Sequence, residues 1–203
     1  HEVMFMGVVG RDPAGQAVLD DLDAENVDTR YVQFSQQYNT GYSVLLLAPN
    51  GERTILTYRG ASTHYHAADF TVADIEADWL YVSTLAGQMT VLDKVFREAR
   101  AAGMKICFNP GKRELVQRDK LMGLLDDVEV LALNKEEMQQ LVPGDDLEQL
   151  VRRAKELVPV VLLTDGVNGS MASDGVTIVR AAMYEDVPAI DRTGAGDAFA
   201  SGF

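Results

Sequence analysis

Asp191-Arg192-Thr193-Gly194-Ala195-Gly196-Asp197-Ala198-Phe199-Ala200-Ser201-Gly202-Phe203 closes the chain and sets how the rest of it is read. Gly194 and Gly196 flank one alanine, an aspartate follows, and small and aromatic residues continue at helical spacing. Glycine at both positions opens backbone conformations closed to other residues and lets a ligand approach the main chain. A helix starting near Gly196 leaves its first N–H groups without partners inside the helix, and its dipole favours negative charge at that end. Asp197, in that first turn, is expected to stay ionised and to accept a proton from a hydroxyl. An anion cradle beside a carboxylate base suits transfer of a phosphoryl group to an alcohol. The plainer reading is a glycine-rich turn entering a helix, with Asp197 an ordinary first-turn acid.

Two familiar phosphate-binding patterns do not apply. No G-x-x-x-x-G-K-[ST] string occurs, and Phe199 stands where the third glycine of G-x-G-x-x-G would be.

Upstream, from Trp79 onward, strand and helix patterns alternate. Strands are expected over residues 79–82, 105–108, 128–133 and 160–163, with further strands over 170–172 and 177–180. Between them, Met89, Leu92, Val95, Phe96 and Ala99 form an apolar helix stripe ended by Gly103. Helices are also expected over 115–125, 136–141 and 147–157, the second stopped by Pro143-Gly144. Such alternation implies a parallel sheet covered on both faces, with ligands gathering at the carboxyl ends of its strands. Asn109-Pro110-Gly111, residues 134–137 and Thr164-Asp165-Gly166 follow strands directly and are the candidate loops.

The first sixty residues differ. Residues 3–9 read as a buried strand, residues 10–15 as a loop, and Val18, Leu19 and Leu22 as one face of a helix. Tyr42, Val44 and Leu46, then Thr54, Leu56 and Tyr58, alternate on either side of Asn50-Gly51, a hairpin signal. His64 and His66 have i, i+2 spacing that would suit a metal, but no ligand pattern surrounds them, and a surface loop is the better reading. Arg53 and Arg59 read as solvated strand charges.

The terminal string, Asp191 to Asp197, resembles the D-T-x-G-A-G-D signature of ribokinase-like (PfkB) carbohydrate kinases, with Arg192 between Asp191 and Thr193. Other family motifs are matched in the same order. Gly7, Gly10, Asp12 and Gly15 match G-x-x-G-x-D-x-x-G, Asn134 and Glu137 match N-x-x-E, and Thr164 and Gly166 match T-x-G. The resemblance implies a three-layer α/β/α fold with a mostly parallel central sheet, the kinase core spanning residues 1–30 and 62–203 and a small antiparallel β lid spanning 31–61. It implies an ATP-dependent kinase that phosphorylates a sugar hydroxymethyl group, with magnesium as cofactor and potassium as a further candidate cation.

Residue by residue, the resemblance makes Asp197 the base and Gly194, Ala195 and Gly196 the anion hole. Asn134, Thr164, Gly166 and Thr193 become nucleotide contacts, and Gly41, Gly60 and Ala61, with Asp197, the sugar side. Glu137 would hold magnesium through water, while Asp191 and Thr193 would serve the monovalent cation. Read without the resemblance, Asn134 and Glu137 make a helix cap. Loop geometry alone accounts equally well for residues 7–15. The alternatives are a nucleoside kinase, a phosphosugar kinase using Lys112 and Arg113, and a non-catalytic sugar or nucleotide sensor. The lid makes the dimer contact in some family members, so a homodimer is a further expectation.

Bulk properties narrow the partners. A formal charge of -13 over 203 residues argues against nucleic acid or an anionic membrane, since both need a basic face. No apolar run approaches the roughly 18 residues that span a bilayer. The single cysteine, Cys107, precludes an intrachain disulfide and suits a cytoplasmic setting. The chain opens inside an apolar strand pattern and closes about two turns into its signature helix, as an internal portion of a longer enzyme would.

Overall fold

The computed structural model describes residues 2–48, 53–68, 70–183 and 194–203. They fall into two compact units, residues 1–69 and 70–203. In the first unit β1 (Met4–Gly10) is followed by α1 (Pro13–Ala24) and β2 (Asp28–Ser35), and β1 and β2 pair in parallel. Pro13 sits where its missing N–H costs nothing, and Asp12 caps the helix by accepting the Gly15 N–H at 2.8 Å. β2 runs past residue 31 to Ser35, so only β3 (Tyr42–Leu47) and β4 (Arg53–Tyr58) form the antiparallel ribbon expected over 31–61. Their register, Tyr42 opposite Tyr58 through Leu47 opposite Arg53, agrees with a hairpin; Asn50-Gly51 itself lies outside the described residues. A single 3-10 turn, Gly60–Thr63, follows.

One buried polar knot organises this unit. The Thr40 hydroxyl donates to Asp12 Oδ1 at 2.7 Å and accepts the Gly10 N–H at 2.8 Å, while the Thr40 N–H donates to Asp12 Oδ2 at 2.7 Å. Gly10 is required beneath it, because a Cβ there would stand 2.5 Å from the Thr40 nitrogen.

The second unit begins with β5 (Trp79–Val82), α2 (Met89–Ala101) and β6 (Lys105–Phe108). Short helices α3 (Lys112–Leu115) and α4 (Arg118–Met122) lead to β7 (Val130–Asn134). Then come α5 (Lys135–Met138), α6 (Leu147–Ala154), β8 (Val160–Thr164), β9 (Ser170–Ser173), β10 (Ile178–Ala181) and α7 (Ala195–Gly202). The sheet order is β10-β9-β8-β7-β6-β5; β5 to β8 are parallel, and β9 and β10 pair antiparallel at one side. Leu131 and Leu163 at its centre and Phe96 of α2 are fully buried, each worth about 1.5–3 kcal/mol of apolar transfer. Phe96 meets Phe108 edge to face, with centroids 5.1 Å apart. Fold class is therefore α/β, a mostly parallel six-stranded sheet accompanied by a small antiparallel ribbon.

The helix expected over 115–125 is instead two short helices. Leu115 and Leu121 are buried as their pattern requires, but Val116 between them is exposed and the chain bends at Gln117. The bend follows from Glu114, which is fully buried and bonded to the loops above it, and from Gln117, whose amide donates to the Gly87 carbonyl at 2.9 Å.

Candidate active site

Parallel strands bring β7 and β8 to a common edge, where Asn134 and Thr164 are direct register partners. Asn134 ends β7 and caps α5: its Oδ1 accepts the Glu137 N–H at 2.9 Å, and Glu137 Oε2 accepts the Asn134 N–H at 3.0 Å. The capping arrangement expected from the residues alone is thus present. Among the described residues, Glu137 Oε1 has no protein partner, which leaves it available to a water or a cation. Beyond Thr164, Gly166 takes φ +52, and a Cβ there would meet nothing within 4 Å. Lys135 Nζ lies 3.5 Å from Asp165 Oδ2 and links the two loops. On the β6 side, Asn109 donates to the Ala132 carbonyl at 2.7 Å and holds its loop to β7.

The helix of the terminal stretch is α7, with Gly194 as N-cap in the left-handed region at φ +77. No side chain caps it, and among the described residues no acceptor meets the N–H groups of Ala195, Gly196 or Asp197. Space around both glycines is open, since a Cβ on Gly194 or Gly196 would touch nothing within 4 Å. Phe199 and Ala200 pack against Val130, Ala132 and Leu162, which lays α7 on the face of the sheet. Asp197 is exposed in its first turn. Its carboxylate is close enough to β5 to contribute to Tyr81: partial burial pushes the Tyr81 phenol up, with smaller contributions from Cys107 and Asp197. Asp191 and Thr193 lie outside the described residues.

Gly41, Gly60 and Ala61 belong to the first unit. Gly41 and Gly60 stand at the root of the β3–β4 ribbon; their Cβ atoms would lie 2.4 Å from the Arg59 carbonyl oxygen and 2.2 Å from that of Asn39. Gly60 and Ala61 are buried, and the Ala61 N–H donates to the Asn39 carbonyl at 2.8 Å. Arg59 is exposed. His64 stacks on Tyr38 with centroids 3.5 Å apart, its Nδ1 3.0 Å from the Gly60 carbonyl oxygen, and His66 is exposed. Among the described residues no three histidines, cysteines or acids gather as a metal site. Magnesium needs no such cluster, since it is commonly held by one or two carboxylates together with phosphate oxygens.

Sequence reasoning missed Thr40 and Glu114. Thr40, beside the candidate Gly41, has no motif of its own, and Glu114 reads as an ordinary acid near a helix start. A groove of about 700 Å³ lined by Asp146, Glu148, Arg152, Ser170 and Arg180 contains none of the expected site residues; the strand ends and the α7 N-terminus define the candidate site.

Among the described residues no helix is long and apolar enough to cross a membrane. Across residues 1–203 the sequence matches the family described as pfkB family carbohydrate kinase. It is 28% identical to a fructokinase of Salmonella typhimurium over 98% of this chain and 68% of that protein. It is also 28% identical to a ribokinase of Haemophilus influenzae, over the whole of this chain and 67% of that one. The chain therefore spans about two thirds of the length of these relatives. Among solved structures, a fructokinase from Vibrio cholerae O395, bound to fructose, ADP and calcium, superposes with a TM-score of 0.80 at 22% identity, covering 99% of this chain and 69% of that one.

Proposed function

The chain belongs to the pfkB family of carbohydrate kinases, and we propose that the protein transfers the γ-phosphoryl group of ATP to a hydroxymethyl group of a sugar. The observation that carries this reading is the open N-terminus of α7, with Asp197 in its first turn and uncapped amides on either side of Gly196. The donors at that end fit an anion. Asp197 takes the proton of the attacking hydroxyl, and the N–H groups of residues 194–196 hold the negative charge that develops in transfer. Asn134, Thr164 and Gly166 orient the nucleotide from the β7 and β8 ends, and Glu137 Oε1 holds magnesium through water. When bound, the nucleotide supplies the transferred group, and the metal neutralises charge on its phosphate oxygens. Asp191 and Thr193 are proposed, on sequence grounds alone, to serve a monovalent cation.

On the sugar side we assign Gly41, Gly60 and Ala61 through their main chain, because Gly60 and Ala61 are buried and none of the three carries a polar side chain. The β3–β4 ribbon acts as the lid, with the kinase core on either side of it in sequence. Its exposed Tyr42, Leu46, Leu47 and Leu56 suit a second copy as partner. The setting is cytoplasmic.

A coupled ADP-release screen of the full-length protein over free sugars, nucleosides and sugar phosphates tests the reading. Release that depends on a free sugar supports it. Release only with nucleosides or only with sugar phosphates moves the assignment to those kinases, and sugar or nucleotide binding without any turnover makes the protein a sensor.

A further inference from the structure

Glu114 is fully buried in the second unit, yet no arginine or lysine pairs with it among the described residues. Its carboxylate is satisfied by loop donors instead. Oε1 accepts the Leu85 N–H at 3.0 Å and the Gly87 N–H at 2.6 Å; Oε2 accepts the Gly111 N–H at 3.1 Å; the Thr84 hydroxyl lies 2.8 and 3.0 Å from the two oxygens. Burying a carboxylate without a counter-charge is costly unless hydrogen bonds replace its water. The arrangement therefore implies a shape that needs holding.

That shape is unusual. Ala86 and Gly87 both take positive φ, +56 and +79, and the first of them carries a Cβ. The Leu85 and Gly87 N–H groups of this bend converge on one oxygen, while that of Ala86 turns to the Thr84 hydroxyl at 3.2 Å; converging main-chain N–H groups attract an anion, and here the protein supplies its own carboxylate. Gln117 holds the same bend from the other side by donating to the Gly87 carbonyl at 2.9 Å. Residues 84–87 follow β5 and Gly111 follows β6, so Glu114 ties two neighbouring strand ends into one rigid surface. They lie on the side of the sheet away from β8, where Thr164 sits, and the strand that precedes the first of them carries Tyr81, the register partner of Cys107, which packs on the same Val130 cluster as Phe199 and Ala200 of the Asp197 helix. From Tyr81 to Thr84 is three residues, about 10 Å at roughly 3.3 Å per residue.

We infer that Glu114 is a positioning residue for the acceptor side of the phosphoryl-transfer site: it fixes the 84–87 and 109–111 loops against which the hydroxyl-bearing substrate is aligned with Asp197, and it does not serve the nucleotide. This rests on the kinase reading above. A misplacement of about 1 Å at a reacting group costs on the order of 100-fold in rate, so loosening these loops should appear in acceptor kinetics.

The experiment is Glu114→Gln in the full-length protein, with Thr84→Val as a gentler variant that removes the hydroxyl bonded to Glu114, which also accepts the Ala86 N–H at 3.2 Å. Each is assayed for ADP release against acceptor and ATP concentration, with nucleotide affinity measured separately by calorimetry and folding checked by circular dichroism. Glu114→Gln should lower kcat/KM for the acceptor by about 10- to 100-fold with unchanged nucleotide affinity, and Thr84→Val should lower it several-fold in the same manner. Folded variants with acceptor kcat/KM within twofold of wild type, or with equal losses for acceptor and nucleotide, overturn this inference and leave the kinase reading intact. If Glu114→Gln does not fold, Thr84→Val alone decides. Wild-type protein that releases ADP with no acceptor overturns the kinase reading, and this inference with it.

Discussion

Asn134 and Glu137 cap one another, the side chain of each bonded to the main-chain N–H of the other at 2.9 and 3.0 Å. The structural and the proposed catalytic duties of the pair can therefore be separated. Glu137→Gln keeps a carbonyl oxygen for the Asn134 N–H but loses the charge. It should melt close to wild type while the magnesium concentration for half-maximal activity rises roughly 10-fold or more. Asn134→Ala removes the cap itself and should cost about 1 kcal/mol in urea unfolding in addition to weakening nucleotide binding. A Glu137→Gln protein with an unshifted magnesium dependence would remove that residue from the metal assignment.

Asp197 projects from the open end of α7 and takes no part in packing the sheet. Asp197→Asn should leave stability and ATP affinity nearly as they are, and lower turnover by about 10²- to 10⁴-fold, the usual range for a general base. Steady-state kinetics beside calorimetric ATP titration checks both halves. Undiminished turnover in this variant would falsify the base assignment.

In the first unit, Thr40→Val keeps the shape of the side chain and removes its hydroxyl. The Gly10 N–H then loses its acceptor in a buried setting, which costs about 1–3 kcal/mol. The expected outcome is a lower urea midpoint with an unchanged slope.

Acid should act on the same knot. N–H donors from Thr40 and Gly15, with the Thr40 hydroxyl, hold the Asp12 carboxyl below its ordinary value of 3.8. A depressed folded-state value contributes stability above the ordinary value, and that contribution is lost as pH falls through it toward the folded one. Urea midpoints measured at about pH 6 and about pH 3 should therefore differ more for wild type than for Asp12→Asn. Asp146 and Asp174 are lowered by main-chain donors as well, and contribute equally to both proteins.

Burial raises the Cys107 thiol to about 11. At about pH 8 almost no thiolate forms, so iodoacetamide should modify the folded protein slowly and the urea-unfolded protein fast. Equal rates would mean that the fold does not shield this thiol.

How much of this was readable in advance depended on the range of the interactions. The βαβ alternation and the hairpin pattern reflect burial along single elements, so β5 to β8 and the β3–β4 ribbon were legible from the placement of apolar residues. So was the α7 start, because Gly194 and Gly196 have few other uses in such a string. Glu114 and Thr40 were not, since what defines them is contact with residues about thirty positions away. Nothing in the local pattern marks an acid as buried when its partners are the amides of a distant loop. The same contact explains why the helix expected over 115–125 broke: apolar spacing favoured one continuous helix, and the anchoring of Glu114 and Gln117 to the 84–87 loop prevailed.

Both faces of the β3–β4 ribbon carry exposed apolar residues, Tyr42, Val44, Leu46, Leu56 and Tyr58 on one and Leu47 and Ile55 on the other. A slip of one residue between its strands would exchange one greasy side for another, so solvent exerts little preference over their alignment. That choice falls to the foot of the ribbon, where Gly41 alone can pass the Arg59 carbonyl and the Ser43 hydroxyl reaches that of Thr57 at 3.2 Å. The outer part of the ribbon is thus free to vary its hydrophobic residues without losing step, whereas a single methyl group at position 41 would throw the whole arm out of phase.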